Sequence, residues 1–167
     1  YKRQVQTALD IALTENDLAE IKEELTNSGY IRRRYTKKKV KINNKPLHYI
    51  SSDGFHIYVG KNNLQNDQLT FHFAVGNDWW FHAKQAPGSH VIVRTNGAEL
   101  PDTTFEEAAR LAAYYSSMRG SDKVEIDYVE KKQVKKPGGG KPGFVVYYTN
   151  YSMVIDSNIS QIRLCAD

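Results

Sequence analysis

Between Thr14 and Asn27 apolar residues recur at three- and four-residue spacing, and Leu18, Ile21 and Leu25 fall on one face among acidic neighbours. That period predicts an amphipathic helix. Thr14 followed by Asp17 resembles a capping-box start, in which the threonine oxygen accepts from a first-turn amide with no partner inside the helix. The acidic side chain also suits the positive helix end. Asn27, Ser28 and Gly29 supply the stop, since glycine tolerates the left-handed C-cap conformation. Val5 to Leu13 is apolar at helical spacing too, so an earlier helix or strand end is expected, with its partner in sequence outside this chain.

From Leu47 the period shortens to two. Leu47 to Ser51 and Phe55 to Val59 flank Ser52, Asp53 and Gly54, a hairpin signature with a left-handed glycine. Leu69 to Phe73, Trp79 to Ala83 and His90 to Arg94 continue the strand patterns. Pro101, Thr103 and Thr104 before Glu106 and Glu107 predict a second capping-box helix running to Arg119 and Gly120. Its Phe105, Ala108, Ala109, Ala112 and Tyr115 share one face, and the small alanines let the axis lie close to a sheet. Strands over Val124 to Val134, Phe144 to Thr149 and Ser152 to Asp156 follow. The expected fold class is α+β, a mostly antiparallel sheet with one main packed helix, preceded by a coiled-coil remnant helix.

Composition adds a boundary. The 167 residues are 40% hydrophobic with a net charge of +4, enough for one core and tilted toward anionic partners. Arg32, Arg33, Arg34, Lys37, Lys38, Lys39, Lys41 and Lys45 occur with no acidic residue between Glu24 and Asp53. Self-repulsion should keep this run extended. It reads as a basic linker over 30–46 between an amino-terminal piece, 1–29, and a domain, 47–167, serving either as a solubilising hinge or as a phosphate-holding arm. Cys165 is the single cysteine, which excludes an intramolecular disulfide and points to a reducing, cytosolic setting. The first ten residues lack the apolar stretch of a secretory signal, no segment approaches the roughly 20 apolar residues of a membrane span, and a start directly in helical sequence reads as a piece of something longer.

Two segments carry candidate chemistry. Trp79 to His90 crowds aromatics, His82, Lys84 and His90 around a Pro87-Gly88 turn, the mixture that a base-stacking, phosphate-holding surface needs. The alternative is a buried strand with core tryptophans. Alternation puts Trp79 and Phe81 on one face and Trp80 and His82 on the other. The second segment, Lys131 to Gly143, holds Lys135, Lys136 and Lys141 around three glycines that would let backbone amides approach phosphate. A hairpin tip without a ligand is the competing reading. It is not a nucleotide-hydrolysing loop, because the four-residue spacer and the following Ser or Thr are absent. Neither metal-motif histidine spacing nor a nucleophile elbow occurs, so no catalytic residue, metal or cofactor is expected. Asn62, Asn63 and Asn66 read as turn chemistry.

From His48 to Asn150 the chain strongly resembles the NFACT-R domain of the RqcH and fibronectin-binding-protein-A-like family of ribosome quality control proteins. The resemblance rests on Ile50 to Phe55, Tyr58 to Asn63, Gln65 to Asp67, Trp80 to His82, Pro87 to Val91, Pro101 to Thr104, Glu107 to Ala109, Ala112 to Ser116, Val134 to Pro137 and Lys141 to Gly143. It implies that residues 1–29 end a middle coiled coil. It also implies a part of a larger factor that binds the large ribosomal subunit and tRNA and promotes alanine tailing of stalled chains. A second implied role is that of an anchorless surface adhesin binding fibronectin or fibrinogen. The expected location is cytoplasmic, with the cell surface as the adhesin's alternative. The expected RNA-contacting residues are Arg32, Arg33, Arg34, Lys37, Lys38, Lys39, Lys61, His82, Lys84, His90, Arg94, Lys135, Lys136 and Lys141. Self-association through the 14–27 helix is a further expectation.

Overall fold

The computed structural model describes residues 1–29 and 44–166. Helices α1 (Lys2–Ile11) and α2 (Glu15–Asn27) precede strands β1 (Leu47–Ile50) and β2 (His56–Val59). A short helix, α3 (Asn63–Gln68), runs into a π-helical turn (Leu69–Phe73). Strands β3 (Trp79–Ala83) and β4 (Val91–Val93), helix α4 (Asp102–Tyr114) and strand β5 (Val124–Glu130) follow, then β6 (Val134–Lys135), β7 (Val146–Tyr147), β8 (Tyr151–Ile155) and β9 (Arg163–Leu164). Seven strands form one sheet in the order β8-β5-β3-β4-β2-β1-β9, while β6 and β7 make a separate ribbon. Every pairing in the sheet is antiparallel. The fold is α+β, as the sequence pattern implies.

Strand alternation sorts the sheet residues into two cores. Phe81, Val91, Val93, Ile57 and Ile126 face α4, whose Ala108, Ala109 and Ala112 let the helix backbone lie close to them. Trp80, Ile92 and Val129 point to the other face, beneath Leu69, Ala74 and Val134. Trp79 therefore lies on the helix side, edge-on to Phe105 at 4.9 Å, and Trp80 on the opposite side with no exposure. Each fully buried Val, Ile or Phe side chain contributes about 1.5–3 kcal/mol, so both faces are held firmly.

The hairpin between β1 and β2 forms where the turn residues predict it, with Gly54 at φ +87° and its N–H donating to Ser51 O at 2.9 Å. Three expectations are corrected. Leu69 to Phe73 is helical and not a strand: Asn62 caps α3 by accepting from the Gln65 N–H, and the wide turn that follows sends Leu69, Phe71 and Phe73 to the Trp80 core. Five alternating residues fit either geometry, and the cap decides. At α4 the N-cap is Pro101, with no side-chain cap. Thr104 instead bonds Ser51 Oγ at 2.9 Å and donates to Asp53 at 2.7 Å, and Glu107 accepts from the Ser52 N–H at 3.0 Å. These two side chains tie α4 to the β1–β2 turn. The helix also stops at Tyr114, short of Gly120, where the Ser116 hydroxyl donates to Ala113 O.

The amino-terminal helices depart from the expected pattern in their partner and in the face they bury. The capping box of α2 is present, with the Asp17 N–H donating to Thr14 Oγ1 and the Asp17 carboxylate accepting from the Thr14 N–H. Its partner is α1: Ile21 packs on Val5 and Ala8, with Leu25 beside them. Tyr1 OH meets Glu24 and Ser28 at the far end of α2, so the two helices run antiparallel. The predicted apolar face is rotated. Leu18 is 51% exposed, whereas the acidic Asp17, Glu20 and Glu24 are buried. They face the start of α3, where the Asn62 and Gln65 side chains donate to Glu20 at 3.0 and 3.2 Å.

Candidate nucleic-acid interface

The turn between β3 and β4 runs from Lys84 to His90 and is pinned from two sides. Gly88 sits so close to Ser116 that a Cβ would lie 2.9 Å from the serine Cβ. Across 84 residues of sequence the Gln4 amide both donates to Gly88 O at 2.9 Å and accepts from Gly88 N at 3.1 Å. Helix α1 thus forms one wall of a cleft whose floor is the β3–β4 turn.

Two histidines line that cleft. His82 stacks on Trp80 with ring centroids 5.6 Å apart, and His90 stands edge-on to His82 at 5.6 Å. The His90 Nδ1 shares a hydrogen bond with Thr70 Oγ1 at 2.7 Å, and its backbone N–H donates to Asn66 Oδ1 at 3.0 Å. Burial pushes the His82 imidazole below its ordinary range. It pushes His90 further down, with the neighbouring His82 adding to the effect. Both rings are therefore neutral near pH 7; His90 is only 3% exposed, so the half-buried His82 is the ring that offers stacking and hydrogen bonding in place of positive charge.

The Lys–Gly loop closes over the same cleft. Gly143, at φ +81°, passes against Asn63, where a Cβ would meet backbone at 3.2 Å, and its N–H donates to Asp67 at 3.2 Å. Lys136 pairs with Asp67 at 3.0 Å, and the Lys141 ammonium lies 3.9 Å over the Tyr1 ring. Phe144 and Tyr147 complete the wall, and Tyr147 OH donates to Asp127 at 2.6 Å. The open cleft has a volume of about 390 Å³, with Arg3 and Gln85 among its lining. Lys135 and Lys141 are exposed beside it. The two segments that the sequence singles out, Trp79 to His90 and Lys131 to Gly143, thus meet in space.

Other expected residues do not join them. Lys61 is buried, with its ammonium 2.6 Å from Asp17 and 3.2 Å from Asn44 Oδ1. Arg94, at the opposite end of β4, donates to Phe73 O at 2.6 Å and stacks 3.8 Å above the Phe73 ring. Lys84 is exposed and pairs with Glu125 at 3.1 Å, which holds its ammonium above the ordinary range. Arg32, Arg33, Arg34, Lys37, Lys38 and Lys39 lie outside the described residues, as does most of the expected 30–46 linker. Conversely, Tyr1, Arg3, Gln4, Phe144 and Tyr147 line the cleft without any local sequence signal. Asn62, Asn63 and Asn66 are buried scaffold, more than turn formers; their clustering between two apolar-rich runs, Ile57 to Val59 and Leu69 to Phe73, is the available hint.

Residues 45–148 match the family described as NFACT protein RNA binding domain. The chain belongs to that family. It is 48% identical over 148 residues to a protein of Streptococcus pneumoniae named Rqc2 homolog RqcH, covering 88% of this chain and 26% of the relative. A protein of the same name from Bacillus subtilis is 44% identical over 142 residues, covering 83% of this chain and 25% of its own length. The chain therefore spans about a quarter of these curated relatives. Among solved structures it is similar to the C-terminal part of the fibronectin/fibrinogen-binding protein from Streptococcus suis, with a TM-score of 0.88 and 41% identity over 98% of this chain and 66% of that one. Among the described residues no helix is long and apolar enough to cross a membrane, and no group of three or more His, Cys, Asp and Glu could hold a metal ion.

Proposed function

We propose that this chain is the RNA-binding module of a cytoplasmic ribosome quality control factor, contacting the large ribosomal subunit or tRNA while the larger protein promotes alanine tailing of stalled chains. The observation that carries the reading is the cleft in which neutral histidines and aromatics meet a lysine-bearing glycine loop. Flat rings suit unpaired bases, and exposed ammonium groups suit phosphates. The family description and the RqcH-named relatives support the same direction. The module binds and performs no chemistry; turnover of RNA lost on His82 or His90 substitution would contradict that. The test is a salt-series titration against tRNA of the native chain and of Lys135→Ala/Lys136→Ala/Lys141→Ala. Affinity that falls with salt and drops in the folded triple variant supports the reading. Binding indifferent to both removes the loop from the site.

A second reading is favoured by the Streptococcus suis structural neighbour: adhesion to fibronectin or fibrinogen at the cell surface. It expects saturable fibronectin binding by the chain that survives nuclease and moderate salt, and absence of such binding would end it for this segment.

A further inference from the structure

A second cavity of about 260 Å³ lies on the other side of α3 from the histidine cleft. His48 of β1 and Tyr58 of β2 line it together with Leu69 and Phe73 of the π-helical turn. Their rings stack 4.5 Å apart and only 6° from parallel, and Tyr58 meets Phe73 edge-on at 4.7 Å. Arg94 backs Phe73 from outside, 3.8 Å above its ring. Pro46 closes one end, and Lys45 and the exposed Gln68 stand at the rim.

We infer that this cavity is a subsite for a single unpaired nucleobase, a contact separate from the histidine cleft; the inference rests on the RNA-binding reading and narrows it. Three features select that occupant. The walls are planar rings, which stack on any base. The volume lies just below the range of about 300–1,000 Å³ usual for drug-sized ligands, which suits one ring system. The rim carries an amide and an ammonium, able to meet a base edge and a phosphate. The wall itself includes a π-helical turn, closed by the Ala74 N–H donating to Leu69 O at 2.8 Å, a geometry found frequently at functional sites.

The experiment compares a single-stranded RNA hexamer carrying one 2-aminopurine with a blunt RNA duplex of equal phosphate count. Both are titrated with the native chain, with His48→Ala/Gln68→Ala and with the triple lysine-loop variant, after circular dichroism shows each to be folded. The expected result is a loss of about tenfold in hexamer affinity for His48→Ala/Gln68→Ala, with duplex binding unchanged. Should the variant misfold, Gln68→Ala alone, which removes only an exposed rim amide, takes its place, with a selective loss for the hexamer again expected. Hexamer binding and quenching equal in pocket variant and native chain, with affinity lost only in the lysine variant, overturns the subsite and leaves the RNA reading standing. A native chain that binds neither RNA at low salt removes the RNA reading and the subsite together.

Discussion

Lys61 and Asp17 show how one side chain changes meaning once its neighbours are known. A lysine before an Asn-rich run reads as a surface cation, yet its ammonium is buried against Asp17. Burial alone would raise the Asp17 carboxyl, but bonds from Lys61, Asn44 and the Leu13 N–H outweigh it and hold the group low. Removing one partner of such a pair leaves an uncompensated buried charge, so Lys61→Ala should cost about 3–5 kcal/mol in chemical denaturation. A loss under 1 kcal/mol would show the pair to be solvated. The two cleft histidines carry a pH signature of their own. Both folded values are depressed, chiefly by burial, so below the unfolded value near 6.5 the unfolded chain binds more protons. Their stabilisation is complete above that value and disappears as pH falls through the folded values. The denaturation midpoint should therefore drop from pH 7.5 to 5.5, less so in His82→Gln/His90→Gln, and a flat native profile would contradict their burial as neutral rings.

Hydrophobic period alone puts Leu18, Ile21 and Leu25 on the buried side, and Ile21 does pack against α1. The rest of the buried face is acidic because α3 presents Asn62 and Gln65 to it, and a buried carboxylate is tolerated only when hydrogen-bonded. Leu9, Leu13 and Leu18 are left outward, 40%, 75% and 51% exposed. Self-association through the 14–27 segment would have to use Leu18. Leu18→Lys is expected to leave the chain monomeric in sedimentation velocity, and a dimer unaffected by it would place the contact elsewhere. Glu24 behaves oppositely to Asp17: burial raises its carboxyl despite the bond from the Tyr1 hydroxyl. Its stabilisation is complete below the unfolded value and is lost as pH rises through the folded one. Glu24→Gln should thus raise the melting midpoint at pH 7, with the gain vanishing in acid; an equal gain at both ends would point to packing.

For the molecule as a whole, the net charge of +4 matters less than where the cations end up. Lys61 and Arg94 are spent inside the structure, whereas Lys135 and Lys141 remain exposed at the cleft. If the loop lysines neutralise phosphate, replacing all three should flatten the slope of log affinity against log salt by about 2–3, since each neutralised phosphate contributes roughly 0.9. An unchanged slope would assign the salt dependence to other cations.

The sequence alone determined whatever is written in short-range pattern. The β1–β2 hairpin with Gly54, the Thr14–Asp17 cap, the opposed faces of Trp79 and Trp80, and the alanine face of α4 all follow from period, turn chemistry and steric freedom within a few residues. Motif resemblance added the family. Tertiary structure decided what depends on distant partners: the π-helical turn at Leu69–Phe73, the turning of Thr104 and Glu107 from capping to cross-linking, the fate of Lys61 and Arg94, and the cleft in which Gln4 grips Gly88. These outcomes depend on desolvation and on hydrogen bonds made across dozens of residues, and neither quantity has a local trace in the order of amino acids.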